Sequence, residues 1–139
     1  MEAIRQAAKF ADVDDNILGF SEGYETLTGE RGVTLSGGQK QRISIARAYI
    51  KDAPIMIMDD AVSAVDMKTE ETILSNINEK RKGKTTIIIA SRVSTVSHLD
   101  KILVLKEGTV EAFDTPENLL QISPTYQKMV YLQKLESEL

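Results

Sequence analysis

The chain is 139 residues long, 42% hydrophobic and 27% charged, the balance of one globular domain or of part of a larger one. It has no cysteine, which excludes disulfides and thiolate metal sites, and its net charge of −4 argues against a nucleic-acid partner. No apolar run approaches the roughly 18 residues needed to span a bilayer, and the N-terminal MEAIRQAAKF lacks the apolar core of a secretory signal.

Ile4, Ala7, Ala8 and Ala11 recur at helical spacing, which predicts an amphipathic helix over residues 2–11. Residues 12–34 are polar and glycine-rich, with a short helix around Asp14 to Leu18 and a loop through TGERG. After LSGG a helix follows over 39–51, with Ile43, Ala46 and Ile50 on one face. Asp52-Ala53-Pro54 ends it, because the residue before proline is pushed away from helical angles. Ile55 to Met58 reads as a short apolar strand, and Lys68 to Arg81 as a helix bearing Ile73, Leu74 and Ile77. The basic run Lys80-Arg81-Lys82-Gly83-Lys84 suits the end of that helix, with Gly83 as its cap.

Thr85 to Ala90 is a second apolar strand, and Val93 to His98 a short helix. Lys101 to Leu105 is a strand, Glu107-Gly108 a turn, and Thr109 to Phe113 another strand. Helices over 116–122 and 124–135 finish the chain. Apolar strands separated by helices predict an α/β fold, a parallel sheet covered by helices. Such sheets bind ligands at the carboxyl ends of their strands, where Asp59, Asp60 and Ser91 fall.

Two short stretches carry chemistry. In LSGGQKQR, Leu35 to Arg42, a serine and two glycines before a helix present backbone N–H groups and the positive helix end to an anion. A glycine-rich turn with Ser36 as N-cap is equally compatible with the bare motif. In IMIMDD an acid ending a buried strand is placed to hold Mg²⁺ beside nucleotide phosphates, and an acid one residue later to orient or deprotonate water. A solvated Asp-Asp turn, with Ser63 and Asp66 as local caps, accounts for the same residues.

Taken in order, LSGGQ, the helix KQRISIARAYI, a proline, IMIMDD and SAVD closely resemble the ATP-binding cassette (ABC) family over essentially the whole chain. LTGERGVTLSGGQ resembles the exporters of that family, and DKILVLKEGTVEAFDTPENLL their last sheet strands and C-terminal helix. The resemblance implies a P-loop NTPase-like ABC ATPase fold, here incomplete. Residues 1–50 would be part of the helical signature subdomain and 51–139 the C-terminal part of the RecA-like core. It implies ATP and Mg²⁺ as ligands, a second cassette and transmembrane domains as partners, and a place at the cytoplasmic face of a membrane. Ser36, Gly37, Gly38 and Gln39 would then close over nucleotide held by the partner cassette. Asp59 would serve Mg²⁺, Asp60 would stand at the catalytic-base position, Asp66 in the loop communicating between cassettes and Ser91 at the switch-histidine position. Thr26, Gly29, Glu30, Arg31 and Gly32 would form the loop facing the transmembrane domains.

The pattern departs from the family in three places. The base position usually holds Glu, and Asp60 withdraws the carboxylate by one C–C bond; misplacement on the order of 1 Å can cost about a hundredfold in rate. Ser91 replaces a histidine and can neither reach as far nor become cationic near neutral pH. His98, the only histidine, lies seven residues on, roughly 10 Å along a helix at about 1.5 Å per residue. With the signature intact, this combination implies the non-consensus half of a heterodimeric exporter, whose LSGGQ completes the partner's hydrolytic site. Finally, no GxxxxGK[ST] occurs in the 139 residues. The stretch therefore reads as the C-terminal portion of a cassette, inactive by itself. Its strand edges would be left unpaired where the family's phosphate-loop strand belongs, favouring aggregation, exchange between copies or a rearranged sheet. A soluble ABC ATPase of DNA repair or translation, or a non-hydrolysing regulatory module, are the alternative readings.

Overall fold

The computed structural model describes residues 1–138, and its contacts divide the chain into two units, Met1–Ile89 and Ala90–Leu139. The first unit comprises α1 (Glu2–Phe10), α2 (Asp14–Leu18), a 3₁₀ turn (Gly23–Glu25), α3 (Gly37–Tyr49), β1 (Ile55–Asp59), α4 (Met67–Lys80) and β2 (Thr85–Ile89). The two long helices α3 and α4 start at side-chain caps. Ser36 Oγ accepts from the Gln39 N–H at 3.2 Å while Gln39 Oε1 accepts from the Ser36 N–H at 2.9 Å, a reciprocal box that starts α3. Asp66 starts α4 by accepting from the Thr69 N–H at 3.0 Å and the Thr69 hydroxyl at 2.8 Å.

The core of this unit joins Phe10, Val13, Ile45, Met56, Met58, Ile73 and Ile77, with the Phe10 ring stacked on Tyr49 at 3.7 Å between centroids. Ile45 is the buried residue of α3, with Ile43 and Ala46 only half-buried and Ile50 exposed at the C-cap. β1 and β2 pair in parallel from Ile55↔Thr85 to Asp59↔Ile89. Met56 and Met58 face the core, while Ile55 and Ile57 on the opposite face are 57% and 62% exposed. The apolar strands are thus covered on one face among the described residues. The basic run behaves as a helix end. Buried Arg81 donates to Thr86 Oγ1 at 2.9 Å and to the Thr85 and Ala53 carbonyls, Gly83 takes a left-handed φ of 79°, and Lys84 pairs with Asp52.

The second unit comprises α5 (Val93–Val96), β3 (Ile102–Lys106), β4 (Thr109–Asp114), α6 (Pro116–Ile122) and α7 (Pro124–Ser137). β3 and β4 form an antiparallel hairpin whose turn residues, Glu107 and Gly108, both have positive φ, as a two-residue hairpin turn requires. Its core gathers Val93, Val104, Leu119 and Tyr126. Glu111 on β4 fastens the head of α7 by accepting from the Ser123 and Thr125 hydroxyls, each at 2.6 Å. Those bonds, Ser123 first, hold its carboxyl below the usual range. Among the described residues the two strand pairs are separate sheets, and β2 pairs with β1 alone.

Candidate functional site

Ser36, Gly37 and Gly38 open α3, where first-turn N–H groups of a helix point outward without intrahelical partners. Together with Arg42, Ala64, Val65 and Asp66 they line an open cleft of about 350 Å³. Gly38 makes this wall possible: a Cβ there would stand 2.8 Å from the Ala64 carbonyl oxygen, so only glycine lets α3 approach the 64–66 turn so closely. The cleft joins a helix N-terminus, suited to a phosphate, to the exposed Asp66. Thr69 bonds, first from the N–H and then from the hydroxyl, hold the Asp66 carboxyl below its ordinary range. Asp66 is therefore both a helix cap and a wall of the cleft. Gln39 is spent on the cap of α3.

Asp59 ends β1 and Asp60 follows it, both exposed. The Asp60 backbone is left-handed, φ 49°, a region that short acids tolerate better than most residues. Its N–H donates to the Ile89 carbonyl at 2.9 Å, continuing the β1–β2 ladder by one bond. On its other side the Asp60 carbonyl accepts from Gln41 Nε2 at 3.1 Å and from the Ser63 hydroxyl at 3.0 Å. Gln41 also donates to Ser63 Oγ at 2.9 Å and accepts from the Ala64 N–H at 2.9 Å. Sequence reasoning did not single out this glutamine, because its partners lie 19 to 23 residues away and no local pattern announces them.

The TGERG loop is tight at its base and open at its tip. Thr26 Oγ1 donates to the Gly23 carbonyl at 2.6 Å, the Val33 N–H to Leu27 at 2.9 Å and the Gly32 N–H to Gly29 at 3.1 Å. Gly29 has φ 112°, and a Cβ on Gly32 would fall 2.1 Å from the Leu27 oxygen, so both positions need glycine. Glu30 and Arg31 stand exposed, beside Leu27 at 75% exposure. Ahead of the loop in the chain, buried Asp14 accepts from the Tyr24 hydroxyl at 2.6 Å and from Arg5 Nε and Nη2 at 3.3 and 3.0 Å. Arg5 first and Tyr24 second hold the Asp14 carboxyl low, while burial and the Asp14 bond push the Tyr24 phenol up to about 12.

The structure thus gathers Ser36, Gly37, Gly38 and Asp66 at one cleft and links Asp60 to the same helix through Gln41. Ser91 belongs to the second unit, exposed just ahead of α5, and His98 is exposed just beyond that helix. Among the described residues no three His, Asp or Glu side chains gather to cage a metal. Asp59 offers a single exposed carboxylate. That fits Mg²⁺, which is held by one or two acids with phosphate oxygens and water supplying the rest. No described helix is long and apolar enough to cross a membrane.

The ABC transporter family pattern matches residues 3–63. A multidrug export ATP-binding/permease protein of Bacillus subtilis is 44% identical over 97% of this chain, which covers 23% of that protein. A multidrug resistance-like ATP-binding protein of Buchnera aphidicola is 48% identical over 98% of the chain and 24% of its own length. The solved structure of a bacterial Atm1-family ABC exporter with ATP bound superposes with a TM-score of 0.89 at 42% identity, over 95% of this chain and 23% of that one. The chain therefore spans about a quarter of the length of the relatives it matches. It has the fold of the corresponding part of an exporter nucleotide-binding domain.

Proposed function

We propose that this chain, homologous to part of the nucleotide-binding domains of ABC exporters, works within an ATP-driven exporter as the half that lends its signature to a partner's hydrolytic site. What supports this reading is the contrast between an LSGGQ that lines an open cleft and the two departures from the family pattern, Asp60 in place of Glu and Ser91 in place of His. Residues 1–50 serve as part of the signature subdomain and 51–139 as the C-terminal part of the ATP-binding core.

Each residue has a definite task. The Ser36 hydroxyl and the Gly37 and Gly38 N–H groups bind the phosphates of ATP held by the other cassette, in a low-dielectric closed interface where such donors count most. Gln39 keeps Ser36 in place through the cap. Asp59 would hold Mg²⁺, which would neutralise phosphate charge in this chain's own nucleotide site. Asp60, one methylene short, accepts a proton from water poorly, and Ser91 cannot offer the cationic contact of an imidazole. This site accordingly holds nucleotide longer than it cleaves it. Asp66 communicates across the cassette pair, and the Thr26–Gly32 loop, presenting Glu30 and Arg31, docks on the transmembrane domains at the cytoplasmic face.

Two changes in the complete transporter test the assignment. Ser36→Arg places bulk and charge where a phosphate must be embraced, and is expected to lower turnover at the partner's site by about a hundredfold. Asp60→Glu with Ser91→His is expected to raise turnover at this chain's site by about tenfold or more. Equal hydrolysis at both composite sites of the unaltered protein would overturn the unequal division of labour.

A further inference from the structure

We propose that Gln41 is a positioning residue that locks the signature helix to the acid turn of the same chain, so that the signature and the turn move as one body. The inference rests on the functional reading above for its consequence and on geometry for its substance. One side chain makes three bonds from α3 to the 60–64 turn: Nε2 to the Asp60 carbonyl and Ser63 Oγ, and Oε1 from the Ala64 N–H. Their chemistry fixes the orientation of the amide, since a backbone carbonyl can only accept and a backbone N–H can only donate. The Ser63 hydroxyl spends its own proton on the same Asp60 carbonyl, leaving a lone pair for Gln41.

Asp60 is thereby held from both sides. Its N–H is tied to Ile89 on β2 and its carbonyl to α3, which is how a non-glycine residue keeps φ 49°. Gln41 stands five residues beyond Ser36 on α3, and Ala64 is both its partner and a wall of the Ser36–Asp66 cleft. A nucleotide event at this chain's own acid turn therefore has a rigid route to the signature that serves the partner's site. Leu or Met at position 41 would fill the same space and break that route, leaving the Asp60 carbonyl with the local Ser63 hydroxyl and no bond to α3.

Electron–electron distance measurements on the full-length transporter, with its native cysteines replaced and labels at Ser44→Cys and Lys68→Cys, test the lock directly. Both positions are exposed, one on α3 and one on α4 just past the turn. Gln41→Met is expected to broaden the distance distribution. Gln41→Glu keeps the acceptor for the Ala64 N–H and loses the donor, and is expected to fall between Met and the parent. Assayed well below the melting midpoints, Gln41→Met is expected to lower kcat about tenfold with KM for ATP nearly unchanged. A distribution as narrow as the parent's overturns the lock. A broadened one with unaltered kcat, or with KM shifted in step, overturns its catalytic consequence. Absence of turnover in the parent transporter would count against the functional reading alone, since the distances still decide the role of Gln41.

Discussion

Asp60 answers at residue scale why a short acid stands in the turn. At φ 49° the chain runs through the left-handed region, which Asp tolerates better than most residues and which longer side chains enter less readily. Lengthening Asp60 improves reach only if the turn stays where Gln41 and β2 hold it. The neighbouring close approach gives a sharper expectation. A methyl on Gly38 meets a backbone oxygen at 2.8 Å and cannot rotate away, so α3 or the 64–66 turn must move. Gly38→Ala is expected to destabilise the chain by about 1–3 kcal/mol and to lose signature function beyond that. Denaturant unfolding beside turnover checks it. Gly37→Ala is the control, because its Cβ would meet only the Ala64 Cβ at an ordinary 3.6 Å. Equal effects at the two glycines would refute the steric account.

At the scale of elements, α1, α2 and the 3₁₀ turn are bound by the Arg5–Asp14–Tyr24 cluster, and its titration sets pH limits on their packing. Asp14 has a depressed folded pKa, so its contribution is present above the unfolded value near 3.8 and lost as pH falls through the lower folded value. Tyr24 is raised from 10.0 to about 12, so its contribution is complete below 10 and lost as pH climbs toward 12. Thermal melts across pH are expected to show Asp14→Asn flattening the acid limb and Tyr24→Phe the alkaline limb. Parallel curves for parent and variants would remove the cluster from the account. These elements also show what local pattern reveals. α2 and α6 fall on Asp14–Leu18 and Pro116–Ile122, as read from sequence, because first-turn acids or an N1 proline mark their starts. The cluster and the Gln41 bridge were not legible, since each depends on residues brought together from separate elements. Ile45 in place of Ile50 as the buried residue of α3 has the same cause: the face is set by where α1 and β1 pack, not by periodicity alone.

At the scale of the whole molecule, an apolar strand reads as buried on both faces, and β1 and β2 are not. Ile55, Ile57, Ile87 and Ile89 share one face of the parallel pair, and each is 46% exposed or more. Parallel pairs are ordinarily covered on both sides, and contiguous apolar patches of this kind drive association. The β2 edge adds unpaired backbone groups to the same region. The 139-residue chain is therefore expected to self-associate and bind a hydrophobic dye at concentrations on the order of tens of micromolar. Ile57→Thr with Ile87→Thr keeps β-branched side chains while cutting the apolar area, and leaves the Met56 and Met58 face untouched. The pair is expected to reduce both signals and to leave the melting midpoint of the first unit nearly unchanged. Reduction will be partial, because the second unit exposes Leu103, Leu105, Val110 and Phe113 on its own hairpin. Sedimentation and dye titration decide the matter. A monodisperse monomer that ignores the dye would show that this sheet face needs no cover.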